Sequence, residues 1–365
     1  MIGTNKMKTI EAIERSNTVA PRFNLRTANG QIAQQLWAAG RAANQDNAWL
    51  HGRITTANSE WFLDTHYSEP MTNYAVGWQD PEDLGARLEF LAPNFPAPGE
   101  LFQHLQFDNS EEFLTDGTID DIRAINADFK MVDYTQSLVS RRMNNRGLRI
   151  ELDWDRIKND PIWQQRYTDK LLRRIKRNQY VRAVALGVAS GVGATLHWTG
   201  ANTEQPDIDL SNQRLLSQTA SGIKPNRILC GDTAWQYRLA AYAAATNAQN
   251  QFAAAAALQR TPDDIGAWLG VGANGFMIDR ARSQSGTAKS EILGAMILMF
   301  TGLPGVDAED PTNFKLAWTT CQNGQRYAVY VRQINVKKWE IVVEHYELLF
   351  AATVLGVRAL TTANA

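Results

Sequence analysis

One stretch constrains this chain more than any other: D-P-I-W-Q-Q-R-Y-T-D-K-L-L-R-R-I-K-R, starting at Asp160. Asp is a good helix N-cap, and Pro161 sits at the first helical position, where its missing N–H costs nothing. Trp163, Tyr167, Leu171 and Ile175 recur at four-residue spacing, and Tyr180, Val184 and Val188 extend the series. They share one slowly drifting face. Arg166, Lys170, Arg173, Arg174, Lys176 and Arg177 occupy the opposite one. About 30 residues at 1.5 Å each make a helix of roughly 45 Å, ended by Gly187, Gly191 and Gly193. Such a helix, apolar on one side and basic on the other, lies along a sheet with its charges outward.

The formal net charge of −1 conceals a partition. Residues 1–53 carry seven cations and three acids, residues 54–140 three and sixteen, and residues 141–182 thirteen and five. Residues 183–365 carry fourteen of each. The strongly acidic block thus directly precedes the basic one, and the two can pair between copies of the chain.

An apolar fraction of 44%, with 11 Trp, 13 Phe and 10 Tyr, excludes a disordered chain. No apolar run approaches the roughly 20 residues of a membrane helix, since Val181–Leu196 and Ile292–Leu303 are short and glycine-interrupted. M-I-G-T-N-K-M-K lacks the apolar stretch of a secretory signal. Cys230 and Cys321 make no disulfide framework. A soluble intracellular product is the expectation.

Residues 1–60 are polar and read as an arm that orders against something else. Residues 61–100 mix seven aromatics with Pro and Gly, which predicts irregular structure and short strands. The prolines of L-E-F-L-A-P-N-F-P-A-P-G (88–99) predict no helix there. Leu101–Phe107 and Phe129–Ser140 read as strands of a long hairpin whose connection carries Asp108, Glu111, Glu112, Asp116, Asp120 and Asp121. A free hairpin is only marginally stable, so this one needs a surface to lie on.

Residues 200–325 read as α/β or α+β. Helices are expected near Leu210–Ser221, from Gly231-Asp232-Thr233 through Tyr242, along the alanine-rich 240–257, and from T-P-D-D (261–264). Strands are expected at 227–230 and 276–278, and Glu291–Phe300 is an apolar strand or buried helix. The end is β: Tyr327, Val329 and Val331, then Trp339, Ile341 and Val343 across the N-V-K-K turn (335–338), then Thr353–Leu360.

Catalytic signatures fail on context. G-V-G-A-N-G (270–275) matches a dinucleotide fingerprint, but a helical segment precedes it and a strand follows, the reverse of the required order. A helix-terminal glycine turn fits better. G-V-A-S-G-V-G-A-T (187–195) lacks the lysine of a P-loop. His51, His66, His104, His197 and His345 show no metal-ligand spacing, and neither cysteine has a partner. The adjacent acids Glu111/Glu112 and Asp120/Asp121 read as a solvated tip rather than an acid/base pair. No catalytic residue, metal or cofactor is assigned.

The order of segments resembles the major capsid proteins of tailed bacteriophages, with the Hong Kong 97-type fold. Residues 88–108 look like that family's lead-in strand, and Y-T-Q-S-L-V-S-R-R-M-N-N (134–145) like the return of its extended E-loop. Residues 160–177 resemble its spine helix, and K-P-N-R-I-L-C-G-D-T-A-W-Q-Y-R-L (224–239) resembles a strand–helix unit of its axial domain.

The resemblance implies an α+β capsid fold. It implies an N-terminal arm and extension at 1–87, a lead-in strand at 88–107 and an E-loop at 108–140. A peripheral domain with the spine helix follows at 141–199, an axial domain at 200–325, and closing C-terminal strands at 326–365. The first 87 residues have no counterpart in the family, and no charged helical scaffolding region is present. The implied role is structural: hexamers and pentamers closing into an icosahedral shell that encloses double-stranded DNA without sequence-specific binding. The principal partner is the chain itself, beside a separate scaffolding protein, a portal and decoration proteins. No membrane is involved; the location is the virion, with assembly in the host cytoplasm.

Glu111, Glu112, Asp116, Asp120 and Asp121 of one copy against Arg173, Arg174, Lys176 and Arg177 of another are the candidate inter-subunit contacts. Some relatives crosslink a loop Lys to a C-terminal Asn; Lys130 and Asn364 are present, but Lys130 falls on the return strand, and a shell without crosslinks is the better reading. The alternatives are an encapsulin-type nanocompartment and, further off, a nucleotide-binding α/β enzyme using 270–275.

Overall fold

The computed structural model describes residues 66–106, 123, 125, 128–129, 137–199, 204–244, 254–303, 311–321 and 324–364. They form two compact units. In the smaller, Tyr67 meets Tyr330 edge-on at 6.1 Å. The larger comprises Glu69–Val329 and Gln333–Ala365.

The elements run α1 (Glu69–Gly77), α2 (Leu84–Leu91), β1 (Asn94–Pro96), β2 (Leu101–Gln106), β3 (Ser137–Arg142), β4 (Asn144–Asp153), α3 (Trp154–Ile157) and α4 (Trp163–Ser190). Then come β5 (Val192–His197), α5 (Pro206–Ser221), β6 (Arg227–Gly231), α6 (Asp232–Ala243), α7 (Pro262–Leu269) and β7 (Phe276–Asp279). The last are β8 (Arg282–Ser285), β9 (Ala288–Glu291), β10 (Met296–Phe300), β11 (Phe314–Thr319), β12 (Ala328–Asn335), β13 (Lys338–Ala351) and β14 (Arg358–Ala363).

Region 61–100 departs from its expected irregularity by holding α1 and α2. Proline restricts the residue before it, not those further upstream. Ala92, ahead of Pro93, is accordingly extended (φ −135°, ψ 93°), while Leu88–Leu91 complete α2. Leu84, Leu88 and Leu91 bury one face of that helix.

Helix α4 is the long rod expected, 28 residues against about 30, but it starts at Trp163, so Pro161 lies ahead of its first turn and Asp160 does not cap it. Its carboxylate accepts the Ile162 N–H at 3.2 Å in a turn ahead of the helix. Leu171, Leu172, Ile175, Tyr180, Ala183 and Val184 form the buried stripe, and Gly191 ends the helix in an extended conformation. Trp163 lies outside this stripe, edge-on to Trp339 at 5.6 Å.

Two sheets flank this helix. The first has the order β1-β11-β13-β12, with β4 also antiparallel to β13 from Lys338↔Asp153 to Glu347↔Asn144. The second has the order β5-β14-β10-β6-β7, in which β5–β14 and β6–β7 are parallel. Strand β10, M-I-L-M-F, is apolar throughout because both its faces are covered. Leu298 and Phe300 join Leu229, Ala359, Phe314 and Leu316 in a core under α2 and α4. Ile297 and Met299 join Ile228, Cys230 and Leu360 in a second core under α5, α6 and α7. Alternation along each strand thus divides the apolar residues between two layers.

Close approaches lock the layers. A Cβ on Gly187 would sit 3.0 Å from Leu298 Cδ1, so α4 lies directly on β10. A Cβ on Gly231 would fall 1.9 Å from the Gly294 carbonyl oxygen, which leaves room for glycine alone. Helix α6 then starts with no side-chain cap of its own. Glu291 supplies one from β9, accepting from the Thr233 N–H (3.1 Å) and hydroxyl (2.8 Å).

The last strand falls later than expected, at Arg358–Ala363. Of the alanine-rich stretch, residues 245–253 lie outside the described residues.

Candidate assembly surface

Glu111, Glu112, Asp116, Asp120 and Asp121 lie outside the described residues, as does Lys130. The strands on either side of them are described. Strands β2 and β3 pair antiparallel from Leu101↔Arg142 to Gln106↔Ser137 and make a sheet of their own. Period-two alternation gives this ribbon two unlike faces. Phe102 and His104 turn inward onto Phe350, with ring centroids at 5.7 and 4.8 Å. Phe95, Met143, Ala317 and Phe350 complete that contact. Leu101 (73% exposed) and Leu138 (57%) turn outward, and further along the connection Ile125 and Phe129 are exposed as well.

His104 is buried, and its ring nitrogens have no hydrogen-bond partner beyond an approach to the Val139 backbone. Burial, reinforced by the charges of Arg141 and Lys315, lowers its pKa from the ordinary histidine value. The ring is therefore held neutral where the hairpin meets the first sheet.

The four basic residues of α4 do not form one surface. Arg173 and Arg174 are exposed and make no ion pair among the described residues. Arg173 lines a groove with Tyr74, Trp78 and Asp169, in which the Tyr74 hydroxyl donates to Asp169 at 2.8 Å. Lys176 rests over the Tyr327 ring at 5.9 Å. Arg177 pairs with Glu82 and faces a separate cleft toward β8 and β9.

Sequence reading missed a polar cluster between α4 and β13. Glu347, almost fully buried, accepts from Arg182 and Gln179 of α4. Arg146 of β4 stands 3.4 Å away, and His345 Nε2 lies 3.2 Å from the same carboxylate. Burial alone would raise the Glu347 pKa; His345, Arg182 and Gln179 overcome that and hold it at about 2. Position 347 carried no motif, because its partners come from two distant segments, α4 and β4, and from its own strand.

The glycine-rich 270–275 behaves as a turn. Gly270 adopts the left-handed conformation that closes α7, Ala273–Gly275 make a 3₁₀ turn, and β7 follows. No phosphate-binding helix N-terminus is formed there. Among the described residues no group of His, Cys, Asp and Glu is arranged to hold a metal ion. No described helix is long and apolar enough to cross a membrane. Cys230 and Cys321 are buried free thiols, and burial pushes Cys321 up to about 12.

No protein-family model matches this sequence, and no curated protein matches it. Among solved structures the chain is similar to a phage-related protein from Bordetella bronchiseptica RB50, at 14% identity and a TM-score of 0.57, over 81% of this chain and 97% of that one. It is also similar to the putative capsid protein of a prophage from E. coli CFT073 (10% identity, TM-score 0.45, 81% and 99% covered). A third likeness is to the holo-SrpI encapsulin complex from Synechococcus elongatus PCC 7942 (13%, 0.40, 78% and 90%). The mixed α+β fold is thus that of the Bordetella phage-related protein, shared nearly end to end with it.

Proposed function

We propose that this chain is a structural shell subunit, the major capsid protein of a tailed phage, whose hexamers and pentamers close around double-stranded DNA. The shared fold with a phage-related protein carries this reading, since it covers 81% of this chain and 97% of that one. The hairpin base supports it. A two-stranded ribbon with Leu101 and Leu138 facing solvent is completed by a neighbouring copy more readily than by its own chain. Segregated charge gives such neighbours a register, and many modest contacts repeated around a ring supply closure.

The test is sedimentation and electron microscopy of the purified chain, alone and coexpressed with a scaffolding protein. Closed particles or capsomers are expected, and monomers under every condition would sink the reading. Nucleic acid inside native particles distinguishes a DNA-filled capsid from a nanocompartment loaded with protein.

A further inference from the structure

We propose that the cleft between α2, α4 and the β8–β9 hairpin is a docking site for an acidic segment of a second copy of this chain. The cleft measures about 580 Å³ and is lined by Arg87, Arg177, Arg280, Arg282 and Lys289, with Glu82 the one carboxylate on its wall. The other acids paired with these cations stand behind them. Asp279 is fully buried beneath Arg87, 3.1 Å away. Asp232 and Glu291 are largely covered behind Arg280 (3.5 Å) and Arg282 (3.6 Å), whose own side chains remain 67% and 57% exposed. Glu291 is moreover committed to the start of α6. Lys289 is exposed and makes no ion pair among the described residues. What the cleft shows to solvent is therefore mostly positive.

The chain carries the complement. Residues 108–121 contain six acids and no Lys or Arg. An arginine fork binds a carboxylate through two parallel hydrogen bonds, and a recess with several forks suits a short acidic peptide. Nucleic acid fits less well, because phosphate-gripping chains carry a basic excess and this one has a net charge of −1. The inference rests on the shell reading. It moves the meeting point of the two charge blocks off the outer face of α4 and into the cleft, with Arg177 common to both.

The test is charge reversal with compensation in the full chain. Arg280→Glu, Arg282→Glu and Lys289→Glu change exposed side chains but set like charges beside Asp232 and Glu291. The melting temperature is therefore measured beside the yield, and the milder Arg282→Gln, Lys289→Gln variant separates a folding loss from a docking loss. Particle yield should fall about ten-fold or more, and return when Glu111→Lys, Glu112→Lys, Asp120→Lys and Asp121→Lys are added to the same chain. Wild-type yield and salt tolerance in the triple variant overturn the proposal, and so does a loss that compensation fails to restore. Particles that assemble normally but lose DNA would assign the cleft to nucleic acid instead. Titration of a synthetic 108–121 peptide against unassembled subunits provides a second measurement. Binding about ten-fold weaker in the triple variant, or in the milder Arg282→Gln, Lys289→Gln variant, is expected, and equal binding overturns the assignment. A wild-type chain that forms no particles sinks the shell reading, while the titration still decides the cleft.

Discussion

Arg238 holds Asp207 through two parallel hydrogen bonds, Nε to Oδ1 at 2.7 Å and Nη2 to Oδ2 at 3.0 Å, with both side chains almost wholly buried. Arg260 donates to the same Oδ2 at 2.8 Å, and Arg238 also reaches the Ala257 carbonyl at 2.9 Å. The Arg238 guanidinium lies over the rings of Trp235 (4.8 Å) and Tyr242 (5.1 Å). One carboxylate thus fastens α5 to α6 and to the segment leading into α7. Asp207→Ala leaves a buried guanidinium without its counter-ion and should destabilise the subunit by about 3–5 kcal/mol. Urea denaturation measures this directly; a loss below about 1 kcal/mol would show that the pair is dispensable.

Glu347 makes the contact between α4 and β13 depend on acidity. Its pKa of about 2 lies below the ordinary glutamate value, so the ionised form is favoured by folding. The stability it contributes is complete above about pH 4.5 and is lost as pH falls toward 2. Glu347→Gln should therefore flatten that part of the acid-unfolding curve, while costing on the order of 3 kcal/mol at neutral pH. An unchanged acid limb in the variant would place the sensitivity elsewhere.

His104 acts in a higher window with the same sign. Its pKa is lowered in the docked hairpin, so the undocked ribbon binds the proton more tightly. Docking is at full strength above about pH 6.5 and weakens below it, as burial and then the charges of Arg141 and Lys315 disfavour the protonated ring. Hydrogen exchange of β2 and β3 at pH 7.5 and pH 5.5 should reveal faster opening in acid. His104→Phe, which keeps a ring against Phe350, should abolish the difference; a persistent pH effect would rule out this histidine as its source.

What sequence revealed follows from the range of the forces involved. The periodicity of α4, the Thr261 capping box with Asp264 and the left-handed Gly270 are local, and each was legible in a few neighbouring residues. The glycine-rich 270–275 could be rejected as a nucleotide site for the same reason. Helix α2 is short and ends just before Pro93 and Pro96, so its leucine spacing lies inside a segment whose local composition favours irregular structure. The site level was harder. Arg173, Lys176 and Arg177 lie close in sequence, yet one lines the Tyr74 groove, one rests over Tyr327 and one faces the β8–β9 cleft, because neighbouring helical positions are about 100° apart. Arg280, Arg282 and Lys289 looked unremarkable, since what joins them to Arg87 and Arg177 is tertiary contact alone.

The outer face of the β2–β3 ribbon provides the most direct separation of folding from assembly. Leu101 and Leu138 point away from Phe350 and the first sheet, so neither contributes to the buried contact that seats the ribbon. Substitutions at exposed positions of this kind stay within about 0.5 kcal/mol of wild type. Leu101→Glu with Leu138→Glu should therefore leave the subunit's melting transition unchanged. If neighbours cover this face, the same double variant desolvates two carboxylates at every copy of the contact, and the penalty multiplies around a ring. The expected outcome is folded subunits that fail to sediment as particles. Normal particles from this variant would mean that the ribbon's outer face stays in water after assembly.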